Sequence, residues 1–91
     1  MAPQPYYKQN RLKQLRAFCH AARSGSITKA AQRLFISQPA VSLQIQALER
    51  ELACILFERR GPKIRLTQAG RALLEIALPL VDGIDSIGED V

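Results

Sequence analysis

In the middle of this 91-residue sequence Gln38, Ser42 and Gln46 recur at four-residue spacing, with Pro39 beside the first of them. On a helix that spacing sets side chains on one stripe. The stripe is uncharged, short and rich in amide and hydroxyl groups. A glutamine amide donates to and accepts from an adenine edge at once, which is how side chains read bases in the major groove of DNA. Leu43, on the same segment, can touch a thymine methyl but cannot hold a phosphate. Ser and Thr hydroxyls, and the free N–H groups at a helix N-terminus, hold phosphates. A second group, Arg59, Arg60, Lys63 and Arg65, gathers four cations within seven residues. It suits phosphates or a narrow minor groove. Either group alone is more often solvated surface. Their joint occurrence beside Ala30-Ala31-Gln32-Arg33-Leu34 favours a nucleic acid partner.

The elements that must position these residues follow from apolar periodicity. Residues 1–10 hold two prolines and no helical period, and they read as a loose arm in which Tyr6 and Tyr7 pack back or touch a partner. From Arg11, the positions Leu12, Leu15, Phe18, Cys19 and Ala22 give one helix face. Ser24-Gly25 ends it, and Ser26 caps a short second helix with Ile27, Ala30, Ala31 and Leu34 inward. The two alanines let another helix cross close by. After a tight turn at Phe35-Ile36, Ser37 caps a third helix from Gln38 to about Ala53. Its inward residues are Val41, Ile45, Leu48 and Leu52, within an arc of roughly 60°. Two short alternating runs around Gly61-Pro62 predict a β-hairpin. Thr67 then caps a last helix from Gln68 to about Ile87, with a bend expected at Pro79. The fold class is therefore mainly α: a helix-turn-helix over 11–66 with a small hairpin wing, followed by a long C-terminal helix over 67–91.

That last helix carries more apolar residues than a single core-facing stripe of about 100° needs. Leu73, Ile76 and Ala77 can reach a three-helix core, whereas Leu80, Val81, Ile84 and Ile87 extend beyond it at ~1.5 Å per residue. A second copy of the helix would cover them. The predicted homodimer surface is Leu74, Ala77, Leu80, Val81, Ile84 and Ile87. The alternative is packing on a further domain.

Composition narrows the function. The chain has 13 Lys and Arg against 8 Asp and Glu, a net charge of +5. Residues 1–66 carry +9 and residues 67–91 carry −4, so the polyanion partner belongs to the first part. The longest apolar run, Ile76 to Val81, is far short of the roughly 20 residues of a membrane span. Two cysteines, Cys19 and Cys54, are too few and scattered for a disulfide framework or a zinc site. Cys19 reads as a core residue, Cys54 as a connector residue, and the sole histidine, His20, as a rim residue. No nucleophile–base pair, metal cluster or cofactor motif is visible, and a chain this short has little left to wall a substrate cleft.

Five segments together resemble the N-terminal domain of LysR-type transcriptional regulators. They are Leu12-Lys13-Gln14-Leu15-Arg16-Ala17-Phe18, Gly25-Ser26-Ile27-Thr28-Lys29-Ala30-Ala31-Gln32-Arg33-Leu34, Ser37-Gln38-Pro39-Ala40-Val41-Ser42 through Leu48-Glu49, Leu56-Phe57-Glu58-Arg59, and Leu66-Thr67-Gln68-Ala69-Gly70. The resemblance covers about residues 11–80. It implies a winged helix-turn-helix and binding of duplex DNA as a dimer on an interrupted palindrome. It also implies a linker helix that pairs two subunits and a small-molecule effector met only through a further domain. It maps base contacts to Gln38, Pro39 and Ser42, and phosphate contacts to Ser37, Thr28 and Lys29. Three positions depart from the family pattern: Leu43 in place of an arginine, Ala53 in place of a glycine after the third helix, and Pro62 in the wing. A winged-helix regulator of another family and a protein-binding helix-turn-helix are the rival readings. An RNA binder would need an aromatic platform, for which only Tyr6 and Tyr7 are candidates.

Overall fold

The structure, a computed structural model, describes residues 5–60 and 63–90. In chain order it contains α1 (Pro5–Ser24), α2 (Ile27–Leu34), α3 (Gln38–Leu52), β1 (Phe57–Arg60), β2 (Lys63–Leu66) and α4 (Gln68–Asp90). The expected architecture is present, with one change at the start: the first helix begins at Pro5, not Arg11. Proline suits a first helical position, where its missing N–H needs no partner. Residues 1–4, the side chains of Tyr6 and Tyr7, and the Gly61-Pro62 turn lie outside the described residues.

The core gathers on Phe18. Ala17, Cys19 and Ala21 of α1, Ala30 and Ala31 of α2, Val41, Ile45 and Leu48 of α3, then Leu56, Phe57, Ala77 and Val81 all pack into one buried cluster. The Phe18 and Phe57 rings lie 5.3 Å apart, tilted by 45°. This contact ties the first helix to the wing. On α1 the inward face is rotated from the expected one. Leu12 is 37% exposed, and Gln14 is buried in its place. The Gln14 Nε2 donates to Glu51 at 2.9 Å, and Arg11 pairs with the same carboxylate at 3.2 Å. A long-range polar anchor thus takes a position where periodicity alone favours leucine.

Local signals set the helix ends. Gly25 takes φ 68° and closes α1. Ser26 Oγ accepts from the Lys29 N–H at 3.1 Å, and Ser37 Oγ accepts from the Ala40 N–H at 3.1 Å. Both α2 and α3 end on left-handed residues that are not glycine: Phe35 at φ 58° and Ala53 at φ 55°.

The hairpin pairs Phe57 with Leu66, Glu58 with Arg65, Arg59 with Ile64 and Arg60 with Lys63. Its root is fixed from three sides. Glu49 Oε2 accepts from the N–H groups of Leu56 at 2.8 Å and Phe57 at 3.3 Å. Thr67 Oγ1 donates to the Ile55 carbonyl at 2.6 Å and accepts from the Gly70 N–H at 3.0 Å, which caps α4. A Cβ on Gly70 would overlap the Leu56 carbonyl oxygen and come within 2.9 Å of a Leu66 methyl. Only glycine lets α4 start this close to the wing.

From there α4 runs on as a single helix through Pro79 and Gly83 and lies back along α1. This corrects the expected division of its apolar residues. Val81, assigned above to the homodimer surface, and Ala77, assigned both to that surface and to the core, are 2% and 1% exposed and belong to the chain's own core. Ile76, expected to reach that core, is 68% exposed. Leu74 is half-buried against the core, while Leu80, Ile84 and Ile87 are exposed as expected. The core reaches further along α4 than a three-helix head requires because α1 is long enough to support it.

Candidate nucleic-acid interface

The packing of α2 against α3, with Ala30 and Ala31 buried, brings the first turn of each helix to one side of the molecule. The hairpin then closes on the same side. Between them lies an open groove of about 370 Å³ lined by Ile27, Thr28, Gln38, Pro39, Ser42, Arg59 and Ile64. Five of the expected site residues therefore come together: Thr28, Gln38, Pro39, Ser42 and Arg59. Ile27 and Ile64 form the apolar floor, which sequence reasoning had placed in the core or left unassigned.

The other expected residues do not line the groove. Lys29 and Ser37 are exposed at the ends of α2 and α3. Ser37 Oγ spends a lone pair on the Ala40 N–H, and its O–H proton remains available to a phosphate. At α2, Ser26 takes the Lys29 N–H through its side chain and the Ala30 N–H through its carbonyl at 3.2 Å. Among the described residues this leaves Ile27 and Thr28 as the open backbone donors at that helix end. Leu43 is 64% exposed, and Gln46 is exposed one turn further along α3. Gln46 borders a second concavity with Glu49, Arg50, Ala53, Cys54 and Ile55. Arg50 was missed by the sequence reading. It stands four residues beyond Gln46 on the outward side of α3, which is the signal that locates it.

Strand register divides the basic hairpin. Residues directly opposite each other in an antiparallel pair share a face. Phe57, Arg59, Ile64 and Leu66 therefore face the head, and Arg59 comes over the groove from that side. Glu58, Arg60, Lys63 and Arg65 share the outer face. The four cations treated as one cluster are two surfaces, with Glu58 opposite Arg65 on the outer one.

Ion pairing is equally one-sided. Arg11 pairs with Glu51, Arg16 and His20 with Asp85, and Arg23 with Asp82. All four pairs lie on α1. Among the described residues no ion pair engages Lys29, Arg50, Arg59, Arg60, Lys63 or Arg65. Arg11, Arg16 and Arg23 are matched internally, whereas Arg59, which lines the groove, has no ion pair among the described residues. Burial pushes the Cys19 thiol up to about 11, so it stays protonated and inert within the core. Among the described residues no cluster of three or more His, Cys, Asp or Glu side chains is placed to hold a metal ion. No helix among them is long and apolar enough to cross a membrane.

Residues 12–71 match the family described as bacterial regulatory helix-turn-helix protein, lysR family. The HTH-type transcriptional regulator CitR of Bacillus subtilis (strain 168) is 46% identical over 74 residues, 81% of this chain and 25% of that protein. The HTH-type transcriptional activator CmpR of Synechocystis sp. is 40% identical over 82 residues, 90% of this chain and 27% of that protein. The chain thus spans about a quarter of the length of these two relatives. Among solved structures, the crystal structure of the CbnR_DBD-DNA complex superposes with a TM-score of 0.75 at 39% identity, covering 87% of this chain and 91% of that one. With the head, the wing and the groove between them all in place, this chain belongs to the LysR family of bacterial helix-turn-helix regulators and comprises their DNA-binding domain.

Proposed function

We propose that the groove lined by Thr28, Gln38, Pro39, Ser42 and Arg59 is the DNA-reading face, with α3 seated in the major groove. The observation that carries this is convergence: two helix N-termini and one wing arginine without an ion pair line the same groove. Gln38 and Ser42 read base edges, and Pro39 and Leu43 pack on thymine methyls or sugars. Gln46 lies one turn deeper, with Arg50 beyond it. Ser37, Thr28, Lys29 and the open N–H groups of α2 hold phosphates. Arg59 crosses beside α3, and Arg60, Lys63 and Arg65 on the outer wing face follow the neighbouring backbone or minor groove.

The exposed stripe of α4, Ile76, Leu80, Ile84 and Ile87, pairs with the same stripe of a second copy. These positions fall within an arc of about 80° at 100° per residue. A two-fold dimer built this way presents two recognition helices and so reads an interrupted palindrome. The protein works on the bacterial nucleoid, and its small-molecule effector acts through a domain outside this chain.

The test is Gln38→Ala on a duplex selected from a random library and on unselected DNA. A base-reading Gln38 loses about 1–3 kcal/mol on the selected site and little on the rest. Equal loss on both duplexes contradicts base readout by this residue.

A further inference from the structure

On one stripe of α1, Arg16, His20 and Arg23 follow each other at spacings of four and three residues. On α4, Asp82 and Asp85 are three residues apart and face them. Arg16 Nε meets Asp85 Oδ1 at 3.0 Å, His20 Nε2 meets Asp85 Oδ2 at 3.1 Å, and Arg23 Nη2 meets Asp82 Oδ1 at 2.6 Å. Arg33 of α2 and Ser86 complete the same polar recess. The two oxygens of Asp85 are engaged by two different side chains, the Arg16 guanidinium and the His20 imidazole. All these pairs cross between elements at the far end of α4, whose near end is already fixed by Thr67 and Gly70.

Their placement around the α4 axis has a consequence. At about 100° per residue the core side of α4 centres on Val81 and Leu74. The exposed stripe of Ile76, Leu80, Ile84 and Ile87 lies to one edge of that side, and Asp82 and Asp85 lie toward the other. Ala77 and Val81, with half-buried Leu73, Leu74 and Leu78, hold α4 against the core by apolar packing, which carries no charge-to-charge direction of its own. The ion pairs on the far edge supply direction. They set both the roll of α4 and the swing of its distal end, roughly 25 Å from Gln68 at ~1.5 Å per residue.

We propose that Asp82 and Asp85 are positioning residues for DNA spacing: clamped by Arg16, His20 and Arg23, they set the angle between the pairing stripe of α4 and the recognition helix. They touch no DNA. They act by fixing how far apart, and at what relative rotation, two heads of a dimer are presented, so they govern which half-site spacing is accepted. This rests on the pairing of α4 put forward above. DNA turns once per roughly 10–10.5 base pairs, so one added base pair rotates a half-site by roughly 35°. A rigid dimer must reject that change, and a dimer whose α4 can roll accepts it.

The experiment compares symmetric duplexes, built from the selected half-site, whose spacer varies one base pair at a time. Affinity for a single half-site and the sedimentation mass are measured in parallel. The wild-type chain is expected to show one sharp spacing optimum. Asp82→Asn with Asp85→Asn keeps half-site affinity and mass but shrinks the penalty for one extra base pair by about five- to thirtyfold, the combined effect of a few partly exposed ion pairs. Asp82→Arg alone, which opposes Arg23, broadens the profile, and adding Arg23→Asp restores the optimum. A double-asparagine variant with the wild-type profile overturns the proposal, as does a charge swap that fails to restore the optimum. A wild-type chain that sediments as a monomer on the palindrome instead overturns the α4 pairing, and this proposal with it.

Discussion

Two helices of this domain end on residues that pay for a left-handed backbone, and each can be relieved by one substitution. Ala53 closes α3 at φ 55°, ψ 39°, and Phe35 closes α2 at φ 58°, ψ 41°. The hydrogen bonds around both follow the same pattern. The Cys54 N–H reaches the Glu49 carbonyl at 3.1 Å and the Ala53 N–H reaches that of Arg50 at 3.2 Å. The Ile36 N–H reaches the Ala31 carbonyl at 3.1 Å, and the Phe35 N–H that of Gln32 at 3.4 Å. This is the cap that glycine normally supplies. An L-residue here is strained by about 1–2 kcal/mol, and glycine gives back about 0.5–1 kcal/mol through its freer unfolded chain. Neither side chain offers much to set against that: Ala53 is exposed and Phe35 is 94% exposed. Ala53→Gly and Phe35→Gly should each stabilise the domain by about 0.5–1 kcal/mol, a rise in Tm of roughly 2–8 °C for a chain of this size. Thermal melts followed by circular dichroism and urea midpoints measure both. If neither variant gains stability, backbone strain at these caps is not what the chain carries, and the reasoning fails.

Gly70→Ala should destabilise the fold by about 1–3 kcal/mol through overlap with the Leu56 carbonyl. Gly83→Ala, where a Cβ meets nothing within 4 Å, should gain up to about 1 kcal/mol from helix propensity; the two urea midpoints should move in opposite directions. Glu49→Ala leaves the Leu56 and Phe57 N–H groups without their acceptor, which should cost about 1–3 kcal/mol and loosen the wing, read as faster hydrogen exchange at both amides. Cys19, with its thiol raised from 9.0 to about 11 by burial, should resist alkylation at pH 8 while the half-buried Cys54 reacts. Between pH 9 and 11 the folded chain then binds more protons at Cys19 than the unfolded chain. Stability should therefore fall as pH rises through that window, and fall less in Cys19→Ala.

What the sequence reveals depends on how local the cause is. Ser26, Ser37 and Thr67 announce α2, α3 and α4 because a cap acts within four residues. Val41, Ile45 and Leu48 reveal the buried side of α3 through period alone, so the exposed stripe with Gln38 and Ser42 was legible too. The start of α1 was not, because residues 5–10 show no apolar period from which to read a helix. The left-handed cap at Phe35 lacks glycine or asparagine, the usual sign of that backbone, and at Ala53 only the glycine of the family pattern points to it. On α4 two apolar faces lie side by side, and period cannot say which one the head claims. Arg16, His20 and Arg23 decide it by holding Asp82 and Asp85 across a sequence separation of 59 to 69 residues. The wing cations look alike in sequence, and strand pairing separates Arg59 from Arg60, Lys63 and Arg65.

The central claim is that DNA meets the groove between α2, α3 and the wing. The most direct measurement is the change in backbone amide chemical shifts of the isotope-labelled chain as duplex DNA is added. The expected result is a set of large shifts at Thr28, Lys29, Ser37 to Gln46 and Arg59, weakening as salt rises because cations release the counterions of the duplex. Amides of the exposed α4 stripe, Ile76, Leu80 and Ile84, should not respond to DNA at constant oligomeric state. Shifts confined to α1 and α4, with Gln38 and Ser42 unmoved, would contradict the account.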